Sequence, residues 1–163
     1  MKIMGIDPGV ALTGFGIVEE EGGRWRNIVS GCIRTGSSDP SPDRLAKIFS
    51  SLGDLIDDYQ PRAISLEKLF FCKNTRTALQ VGEARGVVIL AAAIHKVELF
   101  EYTPLQIKKA VSGFGKANKN QVGRMVQVLL RLEQIPPVDD EADALAAAIC
   151  HLQHRRWQQA TGG

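Results

Sequence analysis

The change in sequence periodicity near residue 40 limits the possible folds of this chain more than any other feature. Before it, residues 2–6, 13–19 and 25–34 have the composition of β-strands, and short turns at Pro8-Gly9 and Gly22-Gly23 follow the first two of them. Strands joined by such short connections pair with their neighbours in antiparallel fashion. The first part of the chain is therefore predicted to form a three-stranded antiparallel meander.

After residue 40, helical and strand-like segments alternate. Apolar residues between Leu45 and Tyr59 recur at helical spacing, and we expect Ser41 to be the N-cap of that helix, with Pro42 at its first position. Further strands are predicted at residues 63–66 and 98–102, and further helices at 74–96, 103–112, 120–132 and 140–154. Strands joined through helices run parallel to each other. The predicted fold class is α/β: a mixed sheet of three antiparallel and then parallel strands, flanked by helices.

Length and composition indicate one soluble globular unit. The chain has 163 residues, 44% of them hydrophobic, which suits a single domain with a sizeable core. We expect a domain over residues 1–155 and a frayed tail over 156–163. No apolar run is long enough to span a bilayer, so no membrane association is expected. Cys32, Cys72 and Cys150 form no metal-binding or redox spacing and are expected to be free thiols in a reducing cytoplasm.

Two acidic residues lie at predicted strand ends. Asp7 ends the first strand and Glu67 ends the fourth. Ligands of α/β sheets bind beyond the carboxyl ends of the strands, so both side chains are predicted to face one crevice. The simpler alternatives are that Asp7 only supports the turn at Pro8-Gly9 and that Glu67 pairs with Lys68 at the surface.

A third acidic group stands in the segment "DDEADALAAA", residues 139–148. Acidic residues stabilise helix N-termini, so Asp139 or Asp140 could be there only as a cap. Asp143, however, lies three residues beyond Asp140 on the same helix face. The alanines that follow would let the helix pack closely on the sheet and bring Asp140 and Asp143 to the crevice.

Four carboxylates in one crevice repel one another and require a cation or raised pKa values. Hard oxygen ligands suit Mg²⁺, and Mn²⁺ can take its place. Two such ions roughly 3.5–4 Å apart clamp the attacking and leaving oxygens in phosphoryl transfer. The sequence therefore predicts a two-ion site with these carboxylate ligands: Asp7, Glu67, Asp140 and Asp143.

Basic residues are concentrated in two stretches. No acidic residue lies between Glu101 and Glu133 or within residues 68–82. The basic side chains that we assign to nucleic-acid binding are Lys73, Arg76, Lys108, Lys116 and Lys119. A solvated basic surface without a ligand is the alternative. Phe70 or Phe71 could stack on an exposed base.

Two histidines near the predicted end of the last helix are not assigned to the acidic site. His151 lies eight residues beyond Asp143, about 12 Å along a helix, and is too far away to share its ligands. We interpret His151 and His154 as residues that stabilise the helix C-terminus.

The segments together resemble a known family. They include "GIDPG" with "TGFG", "GCIRT", "LEKLFFCKN" with "ALQVGEARG", "FEYTPLQIKKAVSGFGKANKNQV" and "DDEADALAAAI". In this order, from about Ile3 to Leu152, they resemble the RuvC family of Holliday-junction resolvases, within the RNase H-like superfamily.

This resemblance implies a mixed five-stranded RNase H-like sheet and a homodimer. It also implies magnesium-dependent nicking of two symmetric strands of a four-way DNA junction, in recombination and repair, leaving a 5′-phosphate and a 3′-hydroxyl. The acidic site of the family maps onto the four carboxylates above and selects Asp140 over Asp139. Lys108 and Lys119 correspond to basic residues near the scissile phosphate, and Phe70 to an aromatic that stacks on a junction base. The RuvA–RuvB branch-migration complex is the implied protein partner.

Three other functions remain open from the residues alone. "GIDPGVALTG" also resembles the phosphate-binding hairpin of actin-like and sugar-kinase proteins, although those need two large lobes. A junction-binding protein without catalysis is the second alternative. The third is a related nuclease that cuts another branched DNA or RNA.

Overall fold

The computed structural model describes residues 1–68 and 75–162, without the side chains of residues 75–77. Within these residues the chain forms one five-stranded mixed sheet. Its strands are β1 (Lys2–Asp7), β2 (Leu12–Glu21), β3 (Arg24–Arg34), β4 (Ala63–Glu67) and β5 (Glu98–Tyr102), in the order β3-β2-β1-β4-β5. β1, β2 and β3 pair in antiparallel fashion, and β4 is parallel to both β1 and β5. The predicted fold class is confirmed.

The helices cover both faces of the sheet. Their bounds are α1 (Ser41–Tyr59), α2 (Thr75–Ile94), α3 (Pro104–Ser112), α4 (Lys119–Leu130) and α5 (Asp139–Thr161). α1 and α2 share a core with one face. α5 packs directly on the other face, and α3 and α4 pack on α5.

Alternation along the strands assigns each side chain to a face. Met4 and Ile6 of β1 lie in the core under α1 and α2, together with Ile64 and Leu66 of β4. Ile3 lies in the core under α5. Because successive side chains of a strand point to opposite faces, Asp7 and Glu67 belong to the α5 face.

The central helix α5 is buried almost all round because it lies between the sheet and two other helices. Residues 144–152 are all buried. The helix is longer than predicted and continues beyond residue 155, where we expected a frayed tail. In this added stretch Arg156 bonds to Glu20 and to the Gly23 carbonyl and lies 4.7 Å from the centre of the Trp25 ring.

The start of α1 also differs from the prediction by one residue. Pro40, not Ser41, is the N-cap, and no side chain caps this helix. The extended Pro40 backbone instead presents its carbonyl oxygen to the N–H groups of Asp43 and Arg44, both at 3.1 Å.

Cys32 and Cys150 are free thiols, as expected; Cys72 lies outside the described residues. None of the helices in residues 1–68 and 75–162 combines the length and apolar character that a membrane span requires.

Candidate active site

Asp7 and Glu67 end neighbouring parallel strands at the same level. Ile6 is paired with Leu66 in the β1–β4 register, so the residue after each one lies at the same edge of the sheet. Both side chains belong to the face that α5 covers. The predicted juxtaposition of these two carboxylates is therefore present in the structure.

Glycines in the sheet let α5 approach unusually closely. A Cβ on Gly5 would overlap the backbone of Ala144, and a Cβ on Gly14 would overlap the backbone of Asp140. A Cβ on Gly16 would meet the side chain of Leu145. Small residues on both sides thus place the helix directly on the sheet, as the alanine-rich sequence predicted.

This contact brings the first turn of α5 to Asp7. Gly14 is the residue of β2 paired with Asp7, and the Asp140 backbone lies directly over Gly14. Asp143 follows one turn later on the same side of the helix. Asp7, Glu67, Asp140 and Asp143 therefore converge at one end of the sheet.

The capping interpretation of Asp139 and Asp140 is wrong. The N-cap of α5 is Val138, and no side chain makes a capping hydrogen bond there. Asp139 and Asp140 are both inside the first helical turn. They still face the positive end of the helix dipole, which offsets part of the cost of their negative charges.

Glu141, the third acidic residue of that turn, has a different role. Ser30 of β3 donates a hydrogen bond of 2.7 Å from Oγ to Glu141 Oε1. Asn27 donates from Nδ2 to Ser30 Oγ at 3.0 Å. Glu141 thus ties the start of α5 to the edge of the sheet and fixes the direction in which its neighbours point.

Burial, and then neighbouring negative charges, raise the pKa values of Asp7, Glu67 and Asp143. The pKa of Asp7 is raised to about 7 by burial and then by the negative charges of Asp143, Asp140 and Glu67. Burial also raises the pKa of Glu67, and the charge of Asp143 raises it further. Burial is the main cause of the raised pKa of Asp143 as well. Such a cluster stores electrostatic repulsion that a bound cation would relieve.

Two lysines lie beside this acidic cluster. Lys119 Nζ is 3.2 Å from Asp139 Oδ2 and 3.8 Å from Asp143 Oδ2, and the hydrogen bond to Asp139 raises the pKa of Lys119. The positive charge of Lys108 acts to lower the pKa of Glu67 and of Asp143. Lys119 therefore contacts the acidic cluster and the charge of Lys108 acts on it, while their role towards DNA stays a prediction.

Of the other predicted DNA-binding residues, Lys116 alone has a side chain that the structure describes. Lys116 is exposed in the loop between α3 and α4. Arg76 lies in the first turn of α2, and its side chain is outside the description. Phe70 and Lys73, with the alternative Phe71, lie outside the described residues.

The chemistry of the donor set fits a hard divalent cation. All four side chains offer carboxylate oxygens, the ligands that hard divalent cations prefer, and the pKa of Asp7 is raised first by burial and then by its acidic neighbours. As they stand, no three acidic, histidine or cysteine side chains of residues 1–68 and 75–162 are grouped closely enough to hold one ion.

Comparison with known proteins decides the family. A family model described as crossover junction endodeoxyribonuclease RuvC matches residues 3–151. The chain belongs to the RuvC family. A crossover junction endodeoxyribonuclease RuvC from Alkaliphilus metalliredigens is 52% identical over 158 residues, covering 97% of this chain and 96% of the relative. Another from Pelotomaculum thermopropionicum is 52% identical over 159 residues, covering 98% of this chain and 97% of the relative.

The fold agrees with that of a solved RuvC. The structure of Thermus thermophilus RuvC in complex with a Holliday junction substrate matches with a TM-score of 0.88 and 31% identity, over 96% of each chain. The resemblance to RuvC and the RNase H-like fold are thus confirmed. The roles of individual residues remain predictions that rest on the geometry above.

Sequence reasoning missed two contacts next to the site. One is the bond between Ser30 and Glu141; the other is a contact of Arg85 with the Glu67 backbone. Both join residues that are distant along the chain, so no local pattern indicated them. Arg85 lies within the quoted segment "ALQVGEARG", which was noted only as part of the resemblance.

Proposed function

We propose that the protein is a Holliday junction resolvase that nicks two symmetric strands of a four-way DNA junction during recombination and repair. The observation that carries the proposal is the convergence of two strand ends and one helix start on a repelling carboxylate cluster, flanked by Lys108 and Lys119. The relative from Thermus thermophilus was solved with a Holliday junction substrate, which supports the choice of DNA.

The cofactor in this proposal is Mg²⁺, with Mn²⁺ as a substitute, two ions at each site. Asp7, Glu67, Asp140 and Asp143 would hold it, because they are the carboxylates that the fold brings together. When bound, the ions would supply Lewis-acid stabilisation of the phosphodiester and a more acidic water.

The protein's own residues would position the reacting groups and balance the charge that develops on them. Attack of a water oxygen on phosphorus breaks the bond to the 3′-oxygen, so the products are a 5′-phosphate and a 3′-hydroxyl. Lys119 and Lys108 would offset the negative charge that grows on the phosphate oxygens. In the free protein Lys119 is held by Asp139 and Asp143, which keeps its ammonium group next to the site before DNA arrives.

The surrounding basic residues would bind the junction arms. Lys116 lies in the same acid-free stretch of sequence as Lys108 and Lys119, between Glu101 and Glu133. Lys73 and Arg76 belong to the second basic stretch, which follows Glu67 directly. Phosphate contacts from these residues would make junction binding salt-dependent, and Phe70 would stack on a base.

A homodimer is the proposed assembly because a junction with two-fold symmetry requires two active sites related by two-fold symmetry. The outer side of α2 is suited to this contact. Leu79, Leu90 and Ile94 are more than half exposed there, and a Cβ built on Gly82 or Gly86 would meet open space. Small residues flanked by exposed aliphatic side chains let a second copy of the same helix pack closely.

The chain would act as a single domain in the cytoplasm, where chromosomal junctions arise and where the free thiols of Cys32 and Cys150 stay reduced. The RuvA–RuvB branch-migration complex is the proposed protein partner.

The test is cleavage of a labelled four-way junction and a matched linear duplex, with Mg²⁺ or with EDTA. Paired nicks in opposite strands of the junction alone, and only with metal, are expected. In Asp7→Asn we expect cleavage to fall by more than about 100-fold, since even outer-shell partners of a metal cost up to that amount. Junction binding by the variant should remain, because a negative charge near the phosphates is removed.

Other outcomes would replace the proposal. Binding without cutting by the wild type would indicate an architectural junction-binding protein. Equal cutting of the linear duplex would indicate a nuclease without selectivity for the junction.

A further inference from the structure

Arg85 of α2 contacts the end of the strand that carries Glu67. Its side chain is only 13% exposed. It donates a hydrogen bond of 2.9 Å from Nη1 to the backbone carbonyl oxygen of Glu67. Its Nη2 forms an ion pair with Glu101 Oε1 of the neighbouring strand β5. One guanidinium group therefore joins the ends of β4 and β5.

Among the described residues, the sheet offers the Glu67 carbonyl no donor. The N–H of Lys68 bonds to the Tyr102 carbonyl of β5, and successive residues of a parallel strand bond to opposite neighbours, so the Glu67 carbonyl faces β1. On that side β1 is followed directly by Pro8, which has no N–H. The Arg85 side chain donates to this carbonyl in place of the strand.

The two contacts hold Glu67 from the face opposite its carboxylate. The Glu67 side chain belongs to the α5 face, whereas α2 covers the other face of the sheet. Fixing the carbonyl fixes the rotation of the Glu67–Lys68 peptide and thereby limits the direction of the preceding side chain. Among the described residues, one backbone hydrogen bond joins β4 and β5 past Glu67. The N–H of Lys68 donates it to the Tyr102 carbonyl oxygen, at 2.7 Å.

Arginine suits this position better than lysine. Its planar fork presents two N–H groups in fixed directions, one for the carbonyl and one for the carboxylate. An ammonium group is a single point charge and would favour the carboxylate of Glu101. The position therefore uses the shape of the guanidinium as well as its charge.

We propose that Arg85 is a positioning residue for Glu67, which sets the direction of the Glu67 carboxylate and so the affinity of the acidic cluster for a divalent cation. The proposal rests on the proposed function, in which Glu67 is a metal ligand. Arg85 itself would touch neither the metal nor the DNA.

The experiment compares Arg85→Ala and Arg85→Lys with the wild type by calorimetric titration of the DNA-free protein with Mn²⁺. Loss of a partner that orients a metal ligand typically costs about 10–100-fold in metal affinity or activity, and we expect a loss in that range for Arg85→Ala. Arg85→Lys should fall between Arg85→Ala and the wild type. Single-turnover cleavage of a junction should fall in parallel and recover partly at high Mn²⁺, while the Kd for the junction in EDTA stays unchanged.

Two further variants separate positioning from general stabilisation. Glu101→Gln removes the charged partner but leaves the bond to the Glu67 carbonyl, so we expect a smaller loss of Mn²⁺ affinity than in Arg85→Ala. Arg26→Lys is the matched control, because Arg26 makes an exposed ion pair with Glu19 on β2. It should leave Mn²⁺ affinity and cleavage as in the wild type.

Several results would overturn the proposal. One is that folded Arg85→Ala binds Mn²⁺ as tightly as the wild type. If that variant also binds the junction more weakly, Arg85 is a DNA contact instead. If Arg85→Ala does not fold, as judged by circular dichroism, Arg85→Lys decides: Mn²⁺ affinity equal to the wild type contradicts the proposal. A wild type that binds Mn²⁺ without cutting junctions would refute the proposed function, while the Mn²⁺ affinities would still test Arg85.

Discussion

The two halves of α5 hold polar side chains under opposite conditions. In the first turns, Asp140 and Asp143 lie beside Asp7, and like charges raise the pKa of Asp7 to about 7. In the second half, His151 is 2% exposed, but its Nδ1 is 2.8 Å from the hydroxyl of Tyr102 in a hydrogen bond. The same buried helix thus contains one polar group that the fold satisfies and one cluster that it leaves in repulsion.

The difference indicates which half serves stability and which serves function. A hydrogen-bonded polar pair in a core is satisfied without any ligand. Carboxylates held together in repulsion lower the stability of the free protein and persist only because the surrounding fold enforces them. We therefore expect the repelling cluster to be the part of the helix that binds a ligand.

Among substitutions that separate the two halves of α5, Gly14→Ala is expected to have the largest effect on junction cleavage. The new methyl group would overlap the backbone of Asp140 and push the first turn of α5 away from the sheet. A displacement of 1 Å at a catalytic group can cost about 100-fold in rate, and we expect a loss of that order in junction cleavage. Overpacking should also lower the free energy of unfolding by about 1–3 kcal/mol.

Gly31→Ala is the control for that substitution. A Cβ on Gly31 would lie 3.4 Å from the Phe15 ring, which is an ordinary contact. Its cleavage rate should stay at the wild-type level. Wild-type cleavage by Gly14→Ala would contradict the close placement of Asp140 over the sheet.

Tyr102→Phe should affect the other half of the helix alone. The substitution leaves His151 Nδ1 buried without its partner, and we expect the free energy of unfolding to fall by about 1–3 kcal/mol. Urea unfolding at pH 7 measures this loss. Tyr59→Phe is the matched control, since Tyr59 is a partly buried tyrosine that packs against the core on the other face of the sheet. Junction cleavage measured well below the melting temperature should change in neither variant.

His151, in the second half of α5, should make the free energy of unfolding fall at acidic pH. Burial, and then the charges of Arg155 and His154, lower the pKa of His151 to about 4 from an ordinary 6.5. A base whose pKa is lowered by folding stabilises the folded state above its unfolded pKa, and this stabilisation is lost as the pH falls from about 6.5 towards 4. His151→Gln should remove this part of the pH dependence of unfolding.

The smallest effect is expected from Ser30→Ala. It removes the hydroxyl that accepts from Asn27 and donates to Glu141. We expect a loss of about 0.5–1.5 kcal/mol in unfolding free energy and a modest fall in cleavage, because the start of α5 gains freedom. Ser50→Ala, at an exposed site of α1, should cause neither change. A cleavage rate unaffected by Ser30→Ala would show that Glu141 does not orient the site.

The fold and the positions of the acidic residues were predictable from the sequence periodicity and from residue size. Short turns predicted the meander, and the strand-end positions of Asp7 and Glu67 predicted their common crevice. The alanines of α5 predicted its close approach. The glycines of β1 and β2 could have predicted the same contact, since they leave the matching space on the sheet.

The features that could not be predicted from the sequence depend on contacts between segments that are distant along the chain. The interpretation of His151 as a residue for the helix dipole is wrong because α5 continues for ten more residues, to Thr161, and buries His151 against Tyr102. In that continuation Arg156 bonds to the Gly23 carbonyl of the β2–β3 hairpin, a contact between residues distant along the chain. The positions of Arg85 and Ser30 likewise became visible only once strands and helices were assembled.

The most direct test of the repelling cluster is the melting temperature of the metal-free protein from pH 4 to pH 8, in wild type and Asp7→Asn. An acid whose pKa is raised by folding, here from 3.8 to about 7, stabilises the folded state below its unfolded pKa and loses that stabilisation as the pH rises. The variant should therefore melt at an increasingly higher temperature than the wild type from pH 4 up to about pH 7, and Mg²⁺ should raise the melting temperature of the wild type more than that of the variant. A constant difference between the two proteins across this range, unaffected by Mg²⁺, would contradict a repelling, cation-binding cluster at the start of α5.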